Sequence, residues 1–226
     1  MNRTRWATMG KIALGLWMTA VIVLAFLVPA QALGALGQAA RVIFFHIPTA
    51  WVTVVAFMLS SVYSIVYLAR RRRMDDHRAV NAATLGVVFC LLATVTGSIF
   101  ATITWGSPWN WDPREMTIFF LLLFYAAYFA LRAAVADEER RAAFSAAYNI
   151  LGLVVVPFLV FVAPRLPSFV LHPQPLINVQ GELDMDGRAL AIFLCSLAGF
   201  TGLFFWAYNL ANRLSRVQDE LLEIEE

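Results

Sequence analysis

The sequence predicts an all-α integral membrane protein, a bundle of six transmembrane helices, and composition and hydropathy are the basis of this prediction. Of its 226 residues, 61% are hydrophobic and only 14% are charged, with a mean hydropathy of +0.71. A soluble domain is roughly half apolar and about a quarter charged. Six apolar stretches approach the ~20 residues that cross a bilayer. No connection is long enough for a separate soluble domain, so residues 1–226 are predicted to form one transmembrane domain.

The six predicted spans follow one another with short connections. They cover residues about 12–33, 48–69, 80–103, 115–135, 146–163 and 189–211. The first apolar run exceeds the core of a cleavable secretion signal, which predicts a retained helix. Pro48 is expected in the first turn of the second span, where its missing N–H is not needed. Pro164 and Pro167 should end the fifth span near Ala163.

The basic residues predict the orientation of the bundle. If the N-terminus lies inside, the inner face collects 13 of the 17 Lys and Arg residues, and only Arg41, Arg114, Arg165 and Arg188 face outward. This distribution obeys the positive-inside rule. It predicts a multi-pass protein of the cell inner membrane with both termini in the cytoplasm. The net charge of +2 reflects this asymmetry and gives no reason to invoke a nucleic-acid partner.

The connection between the third and fourth spans contains three tryptophans within seven residues: Trp105, Trp109 and Trp111. Tryptophan rings favour the level of the lipid headgroups, and a single one would serve as a membrane anchor. Three rings, closed by Asp112, predict a flat aromatic surface that holds a flat ligand.

Asp112 also begins a typical helix start. In Asp112-Pro113-Arg114-Glu115 the acid is a natural N-cap, the proline is the first helical residue, and Glu115 completes a capping box. Direct contact between Asp112 and a ligand is the alternative, and the two roles are compatible. As a cap, Asp112 should be replaceable by asparagine with little loss.

Two of the three histidines, His46 and His172, are predicted on loops of the outer face, within residues 34–47 and 164–188. Four prolines stiffen the second loop, which suits either a positioned ligand or a merely rigid connection. The third histidine, His77, falls in a charged run on the inner face and is assigned no role. Arg41, Arg114 and Arg165 lie near these features, which indicates an anionic ligand or ordinary contact with lipid headgroups.

Haem is the ligand that best satisfies this pattern. Two neutral imidazoles can hold a haem iron, tryptophans can cover the porphyrin, and arginines can pair with its propionates. A zinc site would need a third or fourth ligand, which the predicted outer loops do not supply. A proton or ion path would need ionisable groups within the spans, which are nearly absent.

The motif Trp105-Gly106-x-x-Trp109-x-Trp111-Asp112 resembles the tryptophan-rich WWD signature of a haem-handling superfamily. The segment Arg41-Val-Ile-Phe-Phe-His46-Ile-Pro48 and His172 resemble the histidine segments of its CcmC branch, which acts in cytochrome c maturation. The resemblance covers nearly the whole chain. It implies that Trp105, Gly106, Trp109, Trp111 and Asp112 form a haem platform and that His46 and His172 ligate the iron.

The resemblance also implies a function without a catalytic residue. Non-covalently bound haem b would be held at the periplasmic face, with Arg41, Arg114 and Arg165 as candidate propionate contacts, and passed to a CcmE-type haem chaperone. ABC-type subunits similar to CcmA and CcmB, a small CcmD-like subunit and membrane lipid would be its other partners. A CcsA-type haem export or cytochrome c synthase subunit, a b-type electron-transfer cytochrome and a haem transporter are the alternatives. The cytochrome is disfavoured because its histidines usually lie inside spans.

Overall fold

The computed structural model describes residues 2–166, 171 and 186–225, which are almost entirely helical and contain no strand. The helices are α1 (Asn2–Leu27), α2 (Ile43–Arg70), α3 (Arg73–Trp105), α4 (Pro113–Ala134), α5 (Glu138–Ile150), α6 (Gly152–Pro157) and α7 (Gly187–Glu225). A 3-10 helix, Ala30–Val42, precedes α2, and a π-helical turn, Phe158–Val162, with a 3-10 turn, Ala163–Arg165, extends α6. Within these described residues six stretches are long and apolar enough to cross a membrane, counting Glu138–Arg165 as one, so the predicted all-α membrane fold is confirmed.

Helix α2 lies at the centre of the bundle, packed along α3 and in contact with α5, α6 and α7. Buried polar side chains join it to its neighbours. The Asn149 amide on α5 donates hydrogen bonds to Ser60 and Ser64 of α2 at 2.7 and 2.9 Å. The Ser60 hydroxyl donates to the carbonyl of Ala79 on α3 at 2.7 Å. Lipid supplies no hydrophobic driving force between helices, so such bonds and close packing hold membrane helices together.

Helix α2 begins at Ile43, five residues earlier than predicted, and Pro48 lies inside it. A proline within a helix leaves the carbonyl four residues earlier without its N–H donor. Here that carbonyl belongs to Phe44, and the buried Ser196 hydroxyl of α7 donates to it. A neighbouring helix thus restores the lost bond, as membrane bundles allow. The prediction that His46 lies on a loop is therefore wrong, because His46 lies in the first turn of α2.

The other helix ends differ from prediction mainly where polar sequence continues a helix past its apolar run. Helix α3 begins at Arg73 rather than near residue 80, and α7 continues to Glu225 rather than ending near 211. The fifth span begins at Glu138, after Asp137, whose carboxylate caps it. The predicted first span is divided, because α1 ends at Leu27 and the 3-10 helix follows. Hydropathy predicts the apolar section of a helix and misses these polar turns.

The two ends of the bundle differ in composition. One end, called the basic end, holds the start of α3 and the last turns of α7. There Arg132 and Asp76 form a bidentate ion pair with both N···O distances 2.8 Å, and Asp219 accepts hydrogen bonds from His77 and pairs with Arg73. The opposite end, called the histidine end, holds His46 and the tryptophan loop.

Candidate functional site

A cavity of about 720 Å³ lies at the histidine end, bounded by α2, α3, α4 and the π-helical turn. This volume is within the ~300–1,000 Å³ that ligand pockets span. Apolar side chains such as Trp51, Val54, Ile118 and Phe161 form most of the wall. Its polar lining comprises His46, Thr94, Ser98, Trp109, Arg114, Glu115, Thr117 and Arg165.

Helix α3 fixes the ring of His46. Nδ1 of the imidazole lies 3.0 Å from the carbonyl oxygen of Ala93 and 3.3 Å from the hydroxyl of Thr96. A carbonyl only accepts, so Nδ1 carries the proton and Nε2 is the basic nitrogen of the neutral ring. The ring packs against Gly97, where an added Cβ would lie 2.9 Å from Cε1 of His46. A main-chain carbonyl thus sets the tautomer, and a glycine makes room for the ring.

Asp112 is the predicted cap of α4, and it has a second bond. One carboxylate oxygen accepts from the N–H of Arg114 at 2.9 Å, and Glu115 accepts from the N–H groups of Asn110 and Asp112, which confirms the capping box. The other carboxylate oxygen accepts from the N–H of Leu171 at 2.7 Å. Asp112 is only 3% exposed. One buried side chain therefore joins the start of α4 to the connection between the fifth and sixth spans.

The three tryptophans do not form the single flat surface that the motif predicts. The rings of Trp109 and Trp111 stand at 88° with centroids 5.8 Å apart, and only Trp109 lines the cavity. Trp105 ends α3 and packs edge-on against Phe100. Left-handed backbone at Gly106 (φ 76°) and at Trp111 (φ 56°) turns the loop between these rings. The sequence spacing could not show these two reversals, which place the rings in different planes.

The structure brings two of the three predicted arginines to the cavity. Arg114 and Arg165 both line it, and Arg165 also donates to the carbonyl of Phe161. Arg41 is not in the lining, because its guanidinium donates to the carbonyl of Ala25 at 2.6 Å near the end of α1. Basic side chains commonly satisfy the last carbonyls of a helix in this way. The predicted group of propionate contacts is thus divided between two places.

His172 lies outside the described residues, and Leu171, which precedes it, is described. The sequence did not predict that Ala93 and Gly97 hold His46. A signal for them exists in Ala93-x-x-x-Gly97-x-x-x-Ala101, since small residues at every fourth position let membrane helices approach closely. The pattern shows where a neighbour packs but cannot show that the neighbour is a histidine.

Comparisons with known proteins identify the family. The family model described as "CcmC: Heme exporter protein C" matches residues 2–225. Proteins named "Heme exporter protein C" are 30% identical over 177 residues in Bradyrhizobium diazoefficiens and 31% identical over 168 residues in Rhodobacter capsulatus. These matches cover 78% and 74% of the chain and 66% and 69% of the relatives. A third, in Paracoccus denitrificans, is 34% identical over 118 residues, 52% of the chain and 49% of that relative. The chain belongs to the CcmC, or heme exporter protein C, family of haem-handling membrane proteins.

Proposed function

We propose that the cavity at the histidine end holds haem b without covalent attachment and presents it, at the periplasmic face, to a CcmE-type chaperone. His46 and His172 are the proposed axial ligands. Membership of the CcmC family supports haem handling for cytochrome c maturation. The periplasmic position follows from the predicted orientation, in which the basic end faces the cytoplasm.

The observation that carries this proposal is the setting of His46. Its Nδ1 is bonded to a main-chain carbonyl, which is one of the partners that the second ring nitrogen of a metal-ligating histidine commonly has. Nε2 is the nitrogen with the lone pair that iron needs, and His46 lines the cavity. The residues on the wall suit the parts of a porphyrin: Trp109 for the ring, Arg114 and Arg165 for its carboxylates. Arg41 is not proposed for this role, because its guanidinium donates to the carbonyl of Ala25 in α1 and does not line the cavity.

Asp112 is proposed as a positioning residue for the second ligand. Its carboxylate holds the N–H of Leu171, the residue that precedes His172 in the chain. The same carboxylate caps α4, whose first turn supplies Arg114 and Glu115 to the cavity. The cap and the predicted ligand contact were alternatives in the sequence. The structure shows a cap together with a backbone tether, and the haem role proposed here acts through that tether.

Trp105, Gly106 and Trp111 complete the motif but do not line the cavity. We assign Trp105 and Gly106 to the shape of the loop, because they end α3. Trp111 is 65% exposed and adopts a left-handed conformation that bulky residues rarely use. An exposed ring in a strained conformation is suited to a partner surface, so Trp111 is the proposed contact for the chaperone.

The partners proposed for this chain follow from its family. They are the haem chaperone, ABC-type subunits similar to CcmA and CcmB, and a small CcmD-like subunit. The protein acts on haem by holding and orienting it, and its own side chains supply no nucleophile in this scheme. A CcsA-type synthase subunit is the competing assignment within the superfamily.

A b-type cytochrome is the alternative that the structure makes stronger than the sequence did. The sequence disfavoured it because its histidines were predicted on loops, whereas His46 lies within α2. The two functions differ in where the haem goes. A delivery protein transfers haem to the chaperone, and an electron carrier retains it through repeated oxidation and reduction.

The test compares His46→Ala with His77→Ala, the histidine at the basic end. We expect purified wild-type protein to carry six-coordinate, low-spin haem. His46→Ala should lower haem content at least about tenfold, and added imidazole should partly restore the spectrum. His77→Ala should leave the spectrum unchanged. An unchanged spectrum in His46→Ala would falsify the ligand assignment.

Transfer is tested separately with haem-loaded protein and a purified CcmE-type chaperone. We expect haem to leave the membrane protein and to be recovered with the chaperone. Retention of all haem through oxidation and reduction cycles, with none passed to the chaperone, would favour the electron-transfer cytochrome.

A further inference from the structure

A second cavity, of about 400 Å³, lies at the basic end between α2, α3 and α7. Three guanidinium groups line it: Arg78 from α3, and Arg213 and Arg216 from α7. We call it the arginine pocket. The cavity at the histidine end lies at the opposite ends of α2 and α3, so the arginine pocket is a separate site. This lining suits an anion, because the planar N–H donors of an arginine match the oxygens of a phosphate group.

Arg78 is held in place from two sides. Its guanidinium bonds to Asp75 at 2.9 Å and lies over the ring of Tyr63 at 5.4 Å from the centroid. Asp75 is only 2% exposed, and its carboxylate forms a salt bridge with Arg78. Arg213 and Arg216 are exposed, and neither forms a salt bridge with any residue in the described part of the chain. Two positive charges therefore remain for a ligand in the arginine pocket.

The α7 side of the pocket changes in character along the helix. The lining residues of α7 fall on one stripe, in the order Phe205, Tyr208, Asn209, Asn212, Arg213 and Arg216. The stripe begins with an apolar ring that is 47% exposed and ends with two arginines. Eleven residues of helix span roughly 16 Å. This is the order that a phospholipid presents from its acyl chain to its phosphate.

We propose that the arginine pocket binds the phosphodiester headgroup of an anionic phospholipid, with an acyl chain along Phe205. The shared chemistry is a phosphate that carries a negative charge, which a membrane lipid or free phosphate could supply. The apolar start of the stripe favours the lipid, since free phosphate has nothing to place there. Basic pockets between transmembrane helices commonly bind anionic headgroups. The proposal does not depend on haem binding.

The experiment counts retained lipids on the full chain. Protein reconstituted in nanodiscs of mixed phosphatidylglycerol and phosphatidylcholine is extracted in mild detergent, and native mass spectrometry counts bound phosphatidylglycerol. The test variant carries Arg213→Gln and Arg216→Gln. The matched control carries Arg140→Gln and Arg141→Gln, which removes the same charge from the start of α5 at the same end.

We expect the wild-type protein and the control to retain phosphatidylglycerol, and the test variant to retain at least fivefold less. Equal losses in the two variants, or no retention by the wild type, would overturn the proposal. A further arm adds inorganic phosphate, with sodium chloride at equal ionic strength as its control. Phosphate should release no more lipid than the chloride does. Greater release by phosphate would assign the site to free phosphate instead. Thermal unfolding and size-exclusion profiles check that both variants are folded.

Discussion

The two ends of the bundle each contain a partly buried histidine, and the histidines are held in opposite ways. Nε2 of His77 lies 3.1 Å from each carboxylate oxygen of Asp219, which joins α3 to α7. His46 is held through Nδ1 by a main-chain carbonyl. Either partner can orient a metal-ligating histidine, so the hydrogen bonds alone do not separate the two. The cavities do: His46 lines the large cavity, whereas His77 is not among the residues that line the arginine pocket, which is why we propose the haem site at the histidine end.

The two ends also differ in the kind of hydrogen bond or ion pair that joins their elements. At the basic end, side chains pair with side chains, as in Arg132–Asp76 and Arg73–Asp219. At the histidine end, side chains bond to the backbone, as when Asp112 holds the N–H of Leu171. Removing one partner of a buried ion pair leaves an uncompensated charge and destabilises the fold, whereas bonds to backbone groups fix the shape of loops. Substitutions at the basic end should therefore alter stability, and substitutions at the histidine end should alter haem binding.

The largest expected effect is at the basic end. Asp76→Ala removes the partner of Arg132 and leaves a guanidinium, whose side chain is only 13% exposed, without its bidentate carboxylate. Breaking such a pair costs about 3–5 kcal/mol. Glu138→Gln, which breaks the exposed pair with Arg73, should cost no more than about 1 kcal/mol. Unfolding in mixed micelles measures both. Similar losses in the two variants would contradict the view that the buried Asp76–Arg132 pair matters more to the free energy of unfolding than the exposed Arg73–Glu138 pair.

The second largest expected effect is a loss of haem affinity at the histidine end, caused by a substitution of Gly97. Gly97→Ala places a methyl group 2.9 Å from Cε1 of His46, so the ring must move away from α3. Overpacking of this kind costs about 1–3 kcal/mol, which corresponds to roughly 5- to 150-fold in haem affinity when haem binding bears the cost. We expect weaker haem binding and a shift in the haem spectrum. Gly15→Ala is the control, because a Cβ there meets nothing within 4 Å. Equal haem affinity in both variants would show that α3 does not position the ring.

Sequence alone predicted features that depend on local pattern or average composition. The hydropathy of the spans predicted six membrane helices, and Asp112-Pro113-Arg114-Glu115 predicted the start of α4. It failed where a distant residue decides the structure. The carbonyl of Phe44 is satisfied by Ser196, 152 residues away, and α2 therefore continues through Pro48. No pattern near Pro48 contains that information.

The same distinction applies to the candidate site. The cap at Asp112 was predictable because its partners are two and three residues away. Its bond to Leu171 spans 59 residues and was not predictable. The contact between Gly97 and His46 likewise joins two helices. The pairing of His46 with His172 stays a prediction, because His172 lies outside the described residues.

The third effect revises what the sequence led us to expect for Asp112. As a cap alone, asparagine should replace it with little loss. In the structure one carboxylate oxygen serves Arg114 and the other serves Leu171. Asparagine has one oxygen, so its amide would face one of these N–H groups, donor against donor. An unsatisfied buried donor costs about 1–3 kcal/mol.

We therefore expect Asp112→Asn to lose a substantial part of its haem, between the wild type and Asp112→Ala. Asp137→Asn is the matched control, because it makes the same change at the cap of α5, where one side-chain oxygen accepts from the N–H of Arg140 and an amide oxygen can still accept. Haem content and the axial-ligand spectrum, with and without imidazole, measure the effect. Rescue by imidazole would indicate a displaced ligand rather than a misfolded protein. Full haem content in Asp112→Asn would show that Asp112 acts only as the N-cap of α4 and does not position the second ligand.

The smallest expected effect separates the two neighbouring tryptophans. Trp109 lines the cavity, whereas Trp111 is 65% exposed and outside it. Their rings stand nearly perpendicular, so removing one does not remove the surface of the other. Trp109→Ala should lower haem retention several-fold, because a cavity wall is lost. Trp111→Ala should leave haem retention nearly unchanged and weaken transfer to the chaperone, because an exposed ring contributes to a partner surface.

Trp111→Phe tests whether an aromatic ring alone is enough for that transfer. It keeps an apolar ring and removes the indole N–H, so transfer close to the wild-type rate would assign the contact to the ring face. Haem retention by absorbance and transfer to a CcmE-type chaperone are measured on the same preparations. If Trp109→Ala and Trp111→Ala reduce haem retention equally, the two rings act as one platform, and the cavity seen here is only part of the haem site. If neither variant changes retention or transfer, the rings are membrane anchors, and His46 with the arginines holds haem without them.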